Sequence, residues 1–178
     1  KETLATFVDG GRFPHAILLE GPNGSGKTLL ARWIAAAVNC RGEHPPCGSC
    51  SACRKILQDK HPDVRICSGT GAVQGFHISL GREIRESAFV LPNEAEKKVY
   101  ILRNTQEMST QAQNALLKIL EEPPEHCMFI LTVDSRAHLL PTILSRTVLI
   151  RMEQLTLDQC VKALETLAPS HTADEYEQ

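Results

Sequence analysis

A glycine-rich segment near the start of the chain has the residue types and the spacing of a phosphate-binding loop. It fits the pattern G-x-x-x-x-G-K-[ST] and consists of Gly21, Pro22, Asn23, Gly24, Ser25, Gly26, Lys27 and Thr28. Glycines let the backbone turn so that several N–H groups point at phosphate oxygens, and a following helix adds its positive end. Lys27 would reach the terminal phosphates of a nucleotide, and the Thr28 hydroxyl would bind Mg²⁺. We therefore predict a site for ATP or ADP with Mg²⁺; the alternative is a chance glycine turn.

Hydrolysis of that nucleotide would need acidic residues at the end of a neighbouring strand, one to organise Mg²⁺ and one to polarise water. The candidate strand at 99–102 is followed by Arg103 and Asn104, and the next acid, Glu107, comes several residues later. Arg103 would place a positive charge where a cation should lie. We expect little or no ATP hydrolysis, unless the strand lies elsewhere and another acid such as Asp134 serves.

Four of the seven cysteines lie within residues 40–53. They follow the pattern C-x6-C-x2-C-x2-C and are Cys40, Cys47, Cys50 and Cys53. Four thiolates at this spacing suit a tetrahedral Zn²⁺ shell, which leaves no open position and is therefore structural. His44 could replace one thiolate, and disulfides or unrelated thiols are further alternatives, although the clustering favours a metal in a reducing compartment. The remaining cysteines are expected in the core, and they are Cys67, Cys127 and Cys160.

Helix and strand patterns alternate along the chain and would position these residues. Short continuous apolar runs predict buried strands at 16–19, 64–66, 99–102, 128–132 and 148–150. Apolar residues at helical spacing predict helices at 2–8, 27–38, 80–89 and 110–122, helical turns at 55–57 and 142–144, and a last helix from about residue 157. Ser109 or Thr110 would cap the helix over 110–122. A glycine-rich loop is expected at 68–75. The alternation predicts an α/β fold whose parallel sheet is covered on both faces.

Composition excludes several classes of protein. The chain has 178 residues, of which 42% are hydrophobic, so it can build the core of one domain and is not a disordered chain. Its formal net charge of −2 means that general basicity is not its route to nucleic acid. No run approaches 18 apolar residues and no signal-peptide pattern opens the chain, so we expect a cytoplasmic protein outside the membrane. Because residue 1 is Lys1, we also expect that sequence precedes it.

Five segments occur in an order that resembles the bacterial DNA polymerase III clamp-loader subunits of the AAA+ class. They are 12–16 (RFPHA), the phosphate loop, the cysteine cluster, 112–124 (AQNALLKILEEPP) and 140–146 (LPTILSR). The resemblance covers about residues 4–155 and includes both the gamma/tau ATPases and their relative, the delta-prime subunit. It implies a P-loop NTPase (AAA+) fold with a three-layer α/β/α core over residues 1–152 and a zinc module within 40–53. It further implies that 153–178 begin a helical lid and that the family's C-terminal collar is absent from this chain.

Where this chain departs from the family pattern, it resembles the delta-prime subunit more than the gamma/tau motor ATPases. The gamma/tau ATPases have Asp-Glu where this chain has Arg103 and Asn104, and their usual sensor threonine corresponds to Val133, next to Thr132. Delta-prime shares the motors' fold but does not hydrolyse ATP. Its phosphate loop is often damaged, whereas the loop here is intact, so the resemblance leaves nucleotide binding open.

The resemblance also implies roles for three arginines. The family's Ser-Arg-Cys motif matches residues 145–147 with Thr147 in place of Cys, so Arg146 is expected to act as an arginine finger on the ATP of an adjacent subunit. An arginine finger acts through its guanidinium, so the change from Cys to Thr147 should matter little. Arg82 and Arg85 match the helix that faces DNA inside the clamp-loader ring.

These features together predict a delta-prime-like subunit of the clamp-loader complex. Such a subunit would join gamma/tau- and delta-type subunits in a heteropentamer and help to load the sliding clamp onto primed DNA during replication. It would be a component of the DNA-directed DNA polymerase (nucleotidyltransferase) holoenzyme. The alternatives are a gamma/tau-type motor ATPase and a zinc-stabilised adaptor whose nucleotide is only structural.

Overall fold

Five parallel strands form one sheet at the centre of the computed structural model, which describes residues 6–7, 10–68, 78–154, 156 and 159. The strands are β1 (Ala16–Glu20), β2 (Val64–Ser68), β3 (Lys98–Arg103), β4 (Cys127–Val133) and β5 (Val148–Arg151). They pair in the order β2-β3-β4-β1-β5, and every neighbouring pair is parallel. Because β1 lies between β4 and β5 and all three are parallel, the loop after β1 lies beside the ends of both neighbours.

Helices cover both faces of the sheet, as the sequence predicts. One face packs against α1 (Lys27–Val38) and α2 (Ser51–Leu57), and the other against α3 (Ile78–Ala88), α4 (Thr110–Glu121) and α5 (Pro141–Leu144). Short 3₁₀ turns follow β3 and β4, at Thr105–Glu107 and Arg136–His138. The result is a three-layer α/β/α arrangement.

Alternation along the strands explains why they appear in the sequence as continuous apolar runs. In β1, Ile17 and Leu19 pack towards α1 and α2, whereas Ala16 and Leu18 pack towards α3, α4 and α5. All seven residues of β4 are buried. Because successive side chains point to opposite faces and both faces are covered, every position must be apolar or hydrogen-bonded.

The ends of the main helices follow local signals. Gly26, with φ 82°, precedes α1, and Asn39 follows it and both donates to the carbonyl of Lys97 and accepts from its amide. At α4, the Ser109 side chain accepts a hydrogen bond from the amide of Ala112, the arrangement of an N-cap. The predictions for 27–38 and 110–122 are thus confirmed, the second with an end one residue earlier.

Other predicted elements differ in extent or fall outside the described residues. The turn expected at 55–57 is the end of the longer α2, which begins at Ser51 because Cys50 caps it. The helix expected at 80–89 lies at Ile78–Ala88. Of the helix expected at 2–8 only residues 6 and 7 are described, and Cys160, residues 69–75 and the last predicted helix lie outside the described ranges apart from residue 159. Among the helices that are described, none has the length and apolarity needed to span a membrane.

Candidate functional site

The predicted phosphate loop connects β1 to α1 and is held in place by its neighbours. The amide of Gly21 donates to the carbonyl of Val133 at the end of β4, at 3.1 Å. A Cβ at Gly21 would overlap the carbonyl oxygen of Met152, just after β5, so the close approach requires glycine. Gly24 and Gly26 both have φ 82°, a conformation that favours glycine. The loop therefore has the backbone form that its sequence predicts.

Unpartnered donors collect where this loop meets α1. The first amides of a helix have no intrahelical acceptor and carry the positive end of its dipole. The hydroxyl of Ser25 is buried and has no hydrogen-bond partner within the described part of the chain. Thr28, half-buried in the first turn, offers a further hydroxyl. This donor set fits the phosphates of a nucleotide, with Thr28 as the side chain that would hold Mg²⁺.

Lys27 is folded back onto the loop. Its Nζ lies 2.5 Å from the carbonyl oxygen of Gly21, 2.9 Å from that of Pro22 and 2.8 Å from Oδ1 of Asp134. The side chain is 7% exposed. A lysine ammonium has three N–H donors, so all three have acceptors in this arrangement.

Asp134 is the acidic residue that the fold brings to the phosphate loop. It follows β4, which pairs with β1, and its side chain is 33% exposed. While Oδ1 binds Lys27, Oδ2 accepts a hydrogen bond from Gln106 at 3.2 Å. The strand predicted at 99–102 is present as β3, so the misplaced strand that the alternative assumed is wrong. Asp134 nevertheless lies at the site.

The end of β3 lacks the carboxylates of a hydrolytic site, as the sequence predicts. The strand ends at Arg103, and the next residue, Asn104, adopts φ 56° and donates its amide to the Thr132 hydroxyl at 3.1 Å. Nε of Arg103 is buried without a partner among the residues described. Glu107 is exposed.

The chain that leaves β5 is hydrogen-bonded to the phosphate loop region. The amide of Met152 donates to the carbonyl of Glu20 at 2.7 Å. Farther along, Nε2 of Gln154 donates to the carbonyl of Asn23 at 3.2 Å. The loop therefore contacts both β4 and the segment that follows β5.

The four clustered cysteines converge at the start of α2. Their sulfur atoms all lie within 4.8 Å of one another, and the set is Cys40, Cys47, Cys50 and Cys53. A tetrahedral Zn²⁺ with bonds of about 2.3 Å holds its sulfurs about 3.8 Å apart, so the sulfurs are already near the required spacing. His44 is exposed and is not in this cluster. The cluster could bind a metal ion.

Backbone amides around the cluster favour the ionised thiolates that a metal requires. The N–H of Cys50, followed by the Ser49 hydroxyl, lowers the pKa of Cys47 to about 6. The N–H of Cys53 lowers the pKa of Cys50. Burial raises the pKa of Cys53 to about 12, so this thiol would lose its proton only on metal binding. Cys67 and Cys127, expected in the core, are buried there.

Arg146 lies just after α5 and has acceptors in its own chain. Nη1 donates to the Thr142 carbonyl at 2.9 Å and to the Ser145 hydroxyl at 3.1 Å. Nη2 lies 2.9 Å from Oε1 of Glu121 at the end of α4. The arginine side chain is 33% exposed.

Comparison with protein families matches residues 1–156 to the family described as DNA polymerase III, delta subunit. The chain belongs to this family. The resemblance to DNA polymerase III subunits drawn from the sequence motifs is therefore confirmed. This family match does not distinguish the delta-prime type from the gamma/tau type.

Curated relatives of this delta-subunit family member include subunits from several bacteria. The DNA polymerase III subunit tau of Bacillus subtilis is 41% identical over 150 residues, which are 82% of this chain and 26% of that protein. The gamma/tau subunit of Mycobacterium tuberculosis is 38% identical over 147 residues, 81% of this chain and 25% of that protein. The tau subunit of Escherichia coli is 34% identical over 175 residues, 97% of this chain and 27% of that protein. The chain thus spans about a quarter of the length of these relatives.

Solved structures confirm the P-loop AAA+ fold of the family member. A gamma-subunit-related protein from Thermotoga maritima superposes with a TM-score of 0.61 at 23% identity, covering 93% of this chain and 49% of that chain. The RuvB Holliday junction branch migration motor of the same organism gives 0.55 at 17% identity, covering 94% and 48%. At these identities the likeness shows the fold alone.

In this delta-subunit family member, Arg82 and Arg85 line a groove of about 530 Å³ between α3 and α4. The groove is also lined by Lys118 and by two amide side chains of α4, Gln111 and Asn114. Both arginines are exposed. The sequence singles out the two arginines, but it does not indicate that Lys118 joins them from another helix.

Proposed function

We propose that the chain is the AAA+ portion of a delta-prime-type clamp-loader subunit, which helps to load the sliding clamp onto primed DNA and does not itself hydrolyse ATP. The observation that carries the proposal is the end of β3, where Arg103 and Asn104 stand at the positions at which hydrolysis needs carboxylates. A general base alone contributes ~10²–10⁴ in rate. Loss of the base together with support for the metal would leave hydrolysis very slow.

A gamma/tau-type motor ATPase is the second candidate, and two observations favour it. The phosphate loop has the form that nucleotide binding needs, and the curated relatives named above are tau and gamma/tau subunits. Hydrolysis distinguishes the candidates because a motor must turn over ATP and a delta-prime subunit need not.

In the proposed role, Arg146 serves the ATP of a neighbouring subunit. It lies just after a short helix, and its side chain is 33% exposed. A planar guanidinium suits the charge that develops on a transferred phosphoryl group, and such fingers contribute ~10³–10⁵ in rate. The contribution of this chain to catalysis would then be made in trans.

The proposal includes bound groups and partners. The cysteine cluster would hold a structural Zn²⁺, and the phosphate loop would hold ATP or ADP with Mg²⁺ at Thr28. Partners would be gamma/tau- and delta-type subunits in a heteropentamer in the cytoplasm, within the DNA-directed DNA polymerase holoenzyme. Primer-template DNA would lie near Arg82 and Arg85, whose groove with Lys118 concentrates positive charge on a chain of net charge −2.

Steady-state ATP hydrolysis with Mg²⁺ tests the proposal, measured for the chain alone and for its mixture with a gamma-type subunit. The chain alone should show negligible turnover, and the mixture should lose activity when Arg146→Ala replaces the unmodified chain. Arg54→Ala, on the exposed side of α2, is the matched control. Robust turnover by the chain alone would support the gamma/tau candidate instead. Equal rates with Arg146→Ala and Arg54→Ala would remove the trans role.

A further inference from the structure

The ammonium group of Lys27 has no donor to spare. Its three N–H groups face Asp134 and the carbonyls of Gly21 and Pro22, at 2.5 to 2.9 Å, and the side chain is 7% exposed. A lysine that binds a phosphate oxygen must direct at least one N–H at it. One of the three present acceptors must therefore leave before the lysine can bind phosphate.

Asp134 is the acceptor best placed to leave. The carbonyls of Gly21 and Pro22 belong to the loop, and Gly21 is anchored to β4 through its amide. The Asp134 side chain is 33% exposed, so water can solvate its carboxylate once it leaves Lys27. The buried Lys27 ammonium has no such access to water, so it must exchange the carboxylate for another acceptor. A nucleotide phosphate also repels this carboxylate, because both are negative.

Two further observations indicate that the pairing of Asp134 with Lys27 is not a chance contact. Gln106 donates to its second oxygen at 3.2 Å and so orients the carboxylate. Arg103 and Asn104 provide no carboxylate at the end of β3, so Asp134 is the acid that Lys27 pairs with in the described ranges.

We propose that Asp134 competes with the terminal phosphate of the nucleotide for Lys27 and so sets the affinity of the site. In the nucleotide-free protein the carboxylate neutralises the lysine. On binding, a phosphate oxygen takes the place of the Asp134 oxygen and the carboxylate turns to solvent. This inference rests on the nucleotide binding included in the proposed function.

Titration of the whole chain with a fluorescent ADP analogue tests the competition. Asp134→Asn keeps the shape of the side chain but removes its charge, and it should tighten binding about tenfold in EDTA, which corresponds to about 1.4 kcal/mol. Gln106→Ala should loosen Asp134 and tighten binding by a smaller factor, about twofold. This second variant keeps the test valid if Asp134→Asn folds poorly. Asp59→Asn, which removes a charge paired with Arg32, is the matched control and should leave the affinity unchanged.

The possible outcomes separate this competition from the nucleotide site itself. Measurable binding that Asp134→Asn weakens or leaves unchanged overturns the competition but not the site. An affinity that is unchanged in EDTA and reduced only with Mg²⁺ also overturns it, because Asp134 would then support the cation without competing for Lys27. Absence of binding by all variants overturns the nucleotide site and the competition with it.

Discussion

Replacing Glu121 by Gln is expected to make Arg146 more effective towards a neighbouring subunit. One guanidinium nitrogen of Arg146 lies 2.9 Å from Oε1 of Glu121, and the other donates to the carbonyl of Thr142 at 2.9 Å. An arginine that reaches across an interface must first leave these acceptors, so their strength opposes its action. Glu121→Gln removes the negative charge and keeps the size of the side chain.

The exposure of the pair sets the size of the effect. The side chains of Arg146 and Glu121 are 33% and 45% exposed, so water screens the interaction. Exposed pairs contribute about 0.2–1 kcal/mol. Since 1.36 kcal/mol is a factor of ten in rate, removal of the pair should raise the partner's hydrolysis about 1.4- to fivefold. Arg146→Ala should act in the opposite direction, with a loss of ~10³-fold or more at the affected site.

The assay is steady-state ATP hydrolysis by a gamma-type subunit titrated with each variant of the chain. Glu122→Gln is the control, because Glu122 is adjacent and exposed and its side chain makes no hydrogen bond or ion pair within the described ranges. The reasoning fails if Glu121→Gln gives the same rate as Glu122→Gln, since the pair would then oppose nothing. It also fails if Glu121→Gln loses stimulation as Arg146→Ala does, because Glu121 would then be needed at the interface.

Three further predictions concern stability and metal binding. Asp63→Asn should lower the free energy of unfolding in urea by about 2–4 kcal/mol, because the buried carboxylate accepts the amides of residues 93–95; unchanged stability would contradict this. Burial lowers the pKa of His61, so the unfolded state binds more protons and stability should fall as pH drops below about 6.5, by at most about 1.4 kcal/mol per pH unit. His61→Gln should flatten that dependence in pH-resolved denaturation, and an unaltered slope would refute the assignment. Cys47→Ser should reduce the zinc content found by elemental analysis from about one ion per chain, whereas Cys67→Ala should not; equal contents would exclude the cysteine site.

Local signals made much of the fold and part of the site predictable. Gly26 and Asn39 bound α1, and both belong to the sequence immediately around it, so the helix over 27–38 could be predicted with its ends. Buried parallel strands are apolar on both faces, so each appears as a short apolar run. The cysteine cluster was likewise visible because its members are close in sequence.

Contacts between distant segments could not be predicted in the same way. Lys27 and Asp134 are 107 residues apart and meet because β4 pairs with β1. The apolar runs predict that strands exist but not which strand lies beside which. Arg146 and Glu121 meet for a similar reason, since α4 and α5 pack on the same face of the sheet. The chemistry of each residue was therefore visible in the sequence, but its partner depended on the topology.

Hydrogen bonding and packing connect the phosphate loop to the chain that follows β5. Gln154 holds the carbonyl of Asn23 at 3.2 Å, and Met152 packs against Gly21. A loop displacement of about 1 Å would carry the Gln154 bond beyond the length at which a hydrogen bond persists. A movement of this size in the loop would therefore release Gln154, which lies in the segment through which the chain leaves β5.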